Sequence, residues 1–283
     1  MVRKLEASDF RARRMVLEPD DFAVPGGPAE VPPDLIDRKV WHELMDLTDH
    51  VAITTTSYQG TRVGFLNQLC TDWVMAIPDD CVEFAMIDCA DDFTVSIFCL
   101  MHGFYRQAVG TLRSILETLL FAALCHLTGD VKRWDNWQKG RDEISFRDVR
   151  HQLRKADAIK IIEDKAIAAT GRTLFADRNR GDPGGWVTSL YTHLSSFIHA
   201  SGDLANSSIW QSNGPIYSAR GMKVSYCSFL ETYALGLLLA KISHPALAMP
   251  EAATVLFTYD GRRRYLRQLD MKLCGFIKRE VFP

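Results

Sequence analysis

Residues 91–128 read DDFTVSIFCLMHGFYRQAVGTLRSILETLLFAALCHLT, two apolar runs joined at His102-Gly103. The second run, Phe104 to Leu127, is apolar on nearly every side when it is drawn as a helix, and a helix of that kind is buried on most sides. We therefore predict that this run is the central helix of the fold and that other helices pack around it. The predicted fold class is all-α, a multi-helix bundle.

Polar side chains nevertheless follow one side of this central helix. At about 100° per residue, His102, Arg106, Arg113 and Glu117 fall within an arc of about 60° if the helix continues back through Gly103. Unpaired charges in a core are costly, so each of these groups needs a partner or water. Two interpretations remain open: Arg113 and Glu117 form a structural ion pair, or the stripe lines a polar pocket.

A second segment, residues 186–203, carries a matching set of polar residues. Tyr191, Ser195 and His199 recur every four residues and therefore share one face of a helix. We predict that this segment meets helix 104–128 and that the two form the site. The groups assigned to its chemistry are His199, Arg113, Glu117 and Arg106. The groups assigned to ligand binding are His102, Tyr191, His193 and Ser195.

Runs rich in proline and glycine mark the irregular parts of the chain. Residues 1–33 are predicted to be an N-terminal arm or linker, which leaves 34–283 as a single helical domain. Residues 177–185, DRNRGDPGG, are predicted to be a mobile loop in the position of a lid. Residues 209–218, IWQSNGPIYS, contain two short extended runs around Ser-Asn-Gly and predict a small β-hairpin.

Hydrophobic periodicity predicts the helices that precede the central one. The first covers residues 34–50 and the second 58–76, with a β-branched connector at 51–56 between them. A third helix, residues 80–102, carries apolar residues at helical spacing. It also carries Asp88, Asp91 and Asp92, which we interpret as a solvated face rather than a cation site.

The C-terminal region is predicted to end in one helix over residues 259–278. Its arginines at 262–264 and 267 form a basic patch around Tyr265. A solvated face of an amphipathic helix and a docking point for phosphate or RNA are the two interpretations of this patch.

Composition and charge limit the classes of protein to which this chain can belong. Of the residues, 47% are hydrophobic and 24% charged, which is typical of a globular chain. The formal net charge of −2 provides no bulk attraction for nucleic acid or acidic lipid. Charged residues interrupt the most apolar windows, so we predict no membrane span. The first residues lack an apolar core, so we expect no signal peptide.

Seven cysteines are scattered along the chain without a Cys-x-x-Cys pair. This usage is typical of free thiols in a reducing compartment, so we expect a cytoplasmic protein. The spacing does not suit zinc. Phosphate-binding, dinucleotide-binding, zinc-protease and serine-hydrolase motifs are also missing from the sequence. We therefore expect no metal and no cofactor.

Two short motifs carry a resemblance to a known group. Tyr105 to Glu117 reads YRQAVGTLRSILE, and Leu194 to Ser201 reads LSSFIHAS. This combination resembles a group of uncharacterised bacterial all-α proteins that are similar to the HEPN helical bundles of toxin and abortive-infection systems. The resemblance implies a dimeric bundle. It also implies metal-independent RNA cleavage with His199 as base or acid and Arg113 or Arg106 as the cation. However, at none of the eight histidines does the chain have the arginine-histidine spacing of the active members.

Three functions therefore remain open. The first is a helical effector or interaction protein of a bacterial stress or defence system, with its polar site between helix 104–128 and segment 186–203. The second is a HEPN-like ribonuclease toxin that uses His199 and Arg113. The third is a binder of a small anionic ligand, held by Arg106 and Arg113 under residues 178–185 of the predicted loop. The expected partners are a second copy of the chain and, in the alternatives, RNA or a small anion.

Overall fold

The computed structural model describes residues 38–74, 81–143, 145–177, 184–198, 214–258 and 265–282. These residues contain ten helices and no strand, which confirms the all-α class. In chain order the helices are α1 (Arg38–Val74), α2 (Cys81–Met101), α3 (Tyr105–Thr128), α4 (Val131–Gln138), α5 (Phe146–Leu153), α6 (Asp157–Thr170), α7 (Trp186–Ile198), α8 (Ala219–Ser243), α9 (Glu251–Leu256) and α10 (Met271–Glu280).

The chain divides into two compact units, Met1–Asp46 and Leu47–Pro283. Of the first unit, the structure describes the opening turns of α1. The predicted arm, residues 1–33, lies outside the described residues.

The central helix of the second unit is α3, as predicted. It is buried along most of its length and packs against α2, α8, α7, α5 and α4. Each of its buried leucines stabilises the fold by roughly 1.5–3 kcal/mol relative to exposure. Among the described helices, α3 alone is long and apolar enough to cross a membrane, with 67% of that window buried inside the protein. A core helix of a folded domain has the same composition.

The end of α1 is fixed to this core by Trp73. The side chain is fully buried, and its Nε1 donates a hydrogen bond to the carbonyl oxygen of Met86 at 2.8 Å. The indole ring also lies 5.0 Å from the Phe93 ring and 5.2 Å from the Tyr233 ring, measured between centroids. Trp73 therefore joins α1, α2 and α8 through a single side chain.

The break between α2 and α3 sets where the central helix begins. Gly103 has a φ of +81°, a conformation that favours glycine, and a Cβ built on it would collide with the backbone of Ile216. Two residues later, the Tyr105 hydroxyl accepts a hydrogen bond from the backbone N–H of Ser218 at 2.9 Å. Residues before α8 thus pack directly against the break.

The β-hairpin predicted over residues 209–218 is not supported. Residues 214–218 contain no strand, and residues 209–213 lie outside the described part of the chain. The physical reason lies in the contacts of Ser218. Its backbone N–H donates a hydrogen bond to the Tyr105 hydroxyl and is not available for pairing with a strand. Its side chain accepts a hydrogen bond from the N–H of Gly221 and caps α8. The last residue of the expected hairpin is therefore the N-cap of a helix that begins at Ala219.

The connector predicted at residues 51–56 is also wrong, because α1 is one continuous helix of 37 residues. Thr54, Thr56 and Ser57 each donate their hydroxyl hydrogen to the backbone carbonyl four residues earlier. Threonine and the other β-branched residues cost a helix only a few tenths of a kcal/mol each, about the range of ordinary propensities. That cost was too small to interrupt the helix.

The C-terminal helix is shorter than predicted. Residues 265–270 are not helical, and α10 begins at Met271. Asp270 sets this start, because its carboxylate accepts a hydrogen bond from the backbone N–H of Leu273 at 2.8 Å. Arg267 therefore lies on a non-helical segment, and residues 262–264 lie outside the described residues.

Candidate functional site

The structure brings α3 and α7 together through Arg113. Its Nε and Nη2 donate hydrogen bonds to Glu117 Oε1 at 3.2 and 3.1 Å, and Nη2 also donates to the Tyr191 hydroxyl at 2.9 Å. Tyr191 in turn stacks on Phe146 of α5, with ring centroids 3.4 Å apart. One arginine thus links its own helix to α7, and the tyrosine extends the link to α5.

Arg113 and Glu117 balance each other's charge within the polar stripe. The charge of Arg113 is balanced by Glu117, and burial together with the Glu117 carboxylate raises the pKa of Tyr191, which favours its neutral form. A cavity of about 330 Å³ lies beside the pair, with Phe121, Trp137 and Phe146 in its wall. Because its two charges cancel, this cavity has no net attraction for an anion. The Arg113–Glu117 ion pair is partly exposed and therefore contributes less than about 1 kcal/mol to the free energy of unfolding.

Arg106 is used in a different way, as a cap for the end of α7. Its Nε donates to the carbonyl oxygen of Phe197 at 2.8 Å and its Nη2 to that of Ile198 at 3.0 Å. The last carbonyls of a helix have no partner within the helix, so Arg106 satisfies two of them. The position that the sequence suggested for an anion is therefore taken by the protein backbone.

His102 does not share the stripe, since the helix is not continuous through Gly103. It follows the end of α2, where its Nδ1 lies 2.8 Å from the carbonyl oxygen of Phe98 and its ring contacts the Phe98 ring at 4.1 Å. The four polar residues predicted to form one line are therefore divided among three places.

His193, in the second segment, has a different partner from the one expected. His193 faces α8 rather than α3, with its Nε2 3.0 Å from Ser228 Oγ, and burial lowers its pKa. Ser195 follows Tyr191 by one turn on α7. His199 and most of the expected lid, residues 178–183, lie outside the described residues. The pairing of His199 with Arg113 therefore stays a prediction.

A different surface, on α2, was missed by the sequence analysis. Phe84, Val95 and Phe98 are 55%, 48% and 59% exposed, although the sequence pattern suggested core positions. Asp88 and Asp91 are exposed between them. These five residues, which we name the α2 face, follow one another at steps of four, three, four and three. That spacing places them on a single side of the helix, opposite the residues that pack on α3.

Two carboxylates of α2, Asp88 on the α2 face and its neighbour Asp92, have raised pKa values. Partial burial and the charge of Asp91 raise the pKa of Asp88; partial burial and the charges of Asp88 and Asp91 raise the pKa of Asp92. No basic side chain lowers either pKa, and none of the three aspartates forms an ion pair within the described residues. The surface therefore combines exposed aromatic rings with uncompensated negative charge.

The signal that could have revealed this surface is the pattern of the acidic residues. Asp88 and Asp91 share one side of a helix with Phe84 and Phe98, so that all four have to be either buried or exposed together. Charged side chains are the ones that avoid burial.

The described residues contain no group of three or more histidine, cysteine or acidic side chains that could hold a metal ion. The function has to be inferred from the surfaces themselves, since comparison with protein-family models, curated proteins and solved structures finds no match for this chain.

Proposed function

We propose that the chain is a helical interaction protein and that its α2 face binds a cationic, amphipathic helix of a partner protein. The observation that carries this proposal is the alternation of Phe84, Val95 and Phe98 with Asp88 and Asp91 along one exposed side of α2. A place for this interaction in a bacterial stress or defence system is a further part of the proposal and rests on the resemblance to HEPN-type bundles.

The apolar part of the α2 face supports docking of a helix. Single exposed apolar residues are ordinary on protein surfaces, but several in one line are a mark of interaction sites. A helix that lies along another one presents anchors at steps of three and four residues, which is the spacing of this face. Burying one phenylalanine side chain contributes roughly 1.5–3 kcal/mol, so the two exposed rings can supply much of the binding energy.

The charge of the α2 face selects the kind of partner. A second copy of the chain would bring its own Asp88 and Asp91 to the contact, and like charges in contact are unfavourable. A helix with lysine or arginine between its apolar residues would instead relieve the repulsion among the aspartates. We therefore assign the face to a cationic partner, and self-association becomes an alternative that the experiment can detect.

The polar contacts between α3 and α7 have a structural role in this proposal. Arg113 and Arg106 hold α7 against α3: the charge of Arg113 is balanced by Glu117, and Nε and Nη2 of Arg106 donate to backbone carbonyls of α7. A ribonuclease that uses His199 and Arg113 would have to exchange the contacts of Arg113 with Glu117 and Tyr191 for contacts with RNA. For this reason the interaction protein is preferred to the ribonuclease.

The test is binding of a labelled synthetic peptide of about 18 residues, long enough for five helical turns. It has leucines at steps of three and four and lysines elsewhere, and binding is followed by fluorescence anisotropy. A scrambled peptide and one with glutamate in place of lysine are the control ligands. We expect the protein to bind the lysine peptide about tenfold or more tightly than either control.

Variants of the protein identify the surface. Phe84→Ser combined with Phe98→Ser should weaken binding of the lysine peptide about tenfold or more, and Asp88→Asn combined with Asp91→Asn should remove most of its salt dependence. Ile161→Ser is the matched control, since Ile161 is 55% exposed on α6. Equal effects of the α2 and α6 variants would refute the proposal. The proposal would also be refuted if the protein formed a dimer that Phe98→Ser dissociates, because the α2 face would then bind a second copy of the chain.

A further inference from the structure

A second cavity, of about 390 Å³, lies between α7, α8 and the segment before α10. Arg220 and Lys223 in the first turns of α8 line it, together with Arg267 from the segment and His193 from α7. Val224 and Cys227 form an apolar part of the wall. We name it the α8 cavity. Its volume lies in the range of sites that hold small molecules, about 300–1,000 Å³.

The charges around the α8 cavity favour an anion. Three of its lining residues, Arg220, Lys223 and Arg267, are basic, and one, Glu231, is acidic. Arg220 and Lys223 are exposed and form no ion pair with any described residue. They also lie near the N-terminal end of α8, where the helix dipole adds positive potential. Unlike the cavity beside Arg113, this one has an excess of positive charge.

Glu231 is not a free counter-charge but part of the scaffold of the cavity. It is 1% exposed. Its Oε2 accepts a hydrogen bond from Trp186 Nε1 at 2.6 Å, and its Oε1 accepts one from the backbone N–H of Gln268 at 2.8 Å. One carboxylate thus joins α7, α8 and the segment that carries Arg267. It holds the three sources of cavity residues in place.

We propose that the α8 cavity binds a small organic anion, a phosphate monoester or a carboxylate with an apolar body. Arg220 and Lys223 neutralise the anionic head, because an arginine fork suits the paired oxygens of phosphate or carboxylate and a lysine adds a point charge. Val224 and Cys227 contact the apolar body. His193 also lines the wall, where its Nε2 lies 3.0 Å from Ser228 Oγ and burial lowers its pKa, which favours the neutral form. This site is independent of the α2 face.

The test uses four probes that divide the proposed ligand into its parts: 1-naphthyl phosphate, 1-naphthoate, 1-naphthol and inorganic phosphate. Isothermal titration calorimetry with the full chain measures each affinity. We expect at least one of the two aromatic anions to bind about tenfold or more tightly than both naphthol and inorganic phosphate. The comparison between the phosphate and the carboxylate then shows which head group the cavity prefers.

The matched variants compare equal changes of net charge. Arg220→Ala with Lys223→Ala should weaken binding of the preferred anion about tenfold or more, whereas Lys155→Ala with Lys160→Ala, which removes two exposed lysines outside the cavity, should leave it unchanged. The proposal is overturned if both double variants behave alike, or if naphthol binds as well as the anions. A Val224→Glu variant provides a second check, because a carboxylate in the wall should also abolish binding.

Discussion

Gly103 and Gly129 both have a positive φ, +81° and +70°, but their surroundings differ. A Cβ at Gly103 would collide with the backbone of Ile216, whereas a Cβ at Gly129, after the end of α3, would meet nothing within 4 Å. We expect Gly129→Ala to lower the free energy of unfolding by about 1 kcal/mol, through backbone conformation alone. Gly103→Ala should cost about 3 kcal/mol or more, because residue 216 would also have to move.

Urea denaturation of the two alanine variants measures this difference. If both variants lost the same amount of stability, the close approach of Ile216 to the α2–α3 break would not exist in solution. The comparison also tests why α3 starts where it does, since the same contact positions Tyr105 for its hydrogen bond to Ser218.

At the scale of elements, the aspartates of α2 make stability depend on pH. The pKa of Asp88 and that of Asp92 lie above the ordinary value of 3.8. The folded protein therefore holds these protons more tightly than the unfolded chain does, and the free energy of unfolding falls as pH rises from about that value. Asp88→Asn should raise the free energy of unfolding at pH 7 by about 0.2–0.5 kcal/mol, the size of a like-charge pair one helical turn apart.

The gain from Asp88→Asn should shrink at pH 4, where the carboxylates of the wild type begin to take up protons. Urea denaturation at the two pH values gives the comparison, and Glu143→Gln, at an exposed position after α4, is the control. A gain that is the same at both pH values would mean that charge repulsion is not its cause.

The elements differ in how well their sequences predicted them. The bounds of α3 and the all-α class could be predicted, because a long apolar run between Gly103 and Gly129 leaves little alternative to a buried helix. The continuity of α1 could not, since the propensity cost of Thr54 and Thr56 is too small to end a helix, and their hydroxyls find partners on the helix backbone itself.

Only part of the candidate site could be predicted from the sequence, because some of its contacts are with the backbone. Periodicity predicted that Arg113 and Glu117 would face the helix of Tyr191, and the three are in contact. It included His102 in their line only if the helix continued through Gly103, which it does not. Periodicity could not predict that Arg106 caps α7, because Arg106 bonds the backbone carbonyls of Phe197 and Ile198. Every residue has such a carbonyl, so the residue type does not indicate the contact. Hydrogen bonds to the backbone are invisible to a pattern of side chains.

At the scale of the whole molecule, the sites that could bind partners lie away from the most polar part of the core. The α2 face belongs to one helix, whereas the α8 cavity takes residues from three separate segments that Glu231 joins. The Arg113 contacts in the middle hold helices together instead. The polar contacts of Arg113 thus hold α3, α7 and α5 together, and both proposed binding sites lie elsewhere on the chain.

Gly236 lies on α8, the helix that contributes most residues to the α8 cavity, at the point where α8 meets α1 and α3. On α8, a Cβ at this glycine would lie 2.6 Å from an atom of the Trp73 ring and 2.8 Å from a methyl carbon of Leu119, so the missing side chain lets α1, α3 and α8 pack closely. Gly64, on α1, has nothing within 4 Å of its would-be Cβ. Alanine favours a helix over glycine by about 1 kcal/mol, and Gly64→Ala should stabilise the protein by up to that amount.

Gly236→Ala gains the same helix propensity but forces the Trp73 ring and the Leu119 side chain away from α8, at a cost of about 1–3 kcal/mol. We expect it to be net destabilising by up to about 2 kcal/mol, the difference between those two terms. Thermal unfolding of both variants, with near-ultraviolet circular dichroism to report the environment of Trp73, measures the contrast. Stabilisation by both substitutions would show that the junction has room for a methyl group and that α8 packs less closely on α1 and α3 than the structure describes.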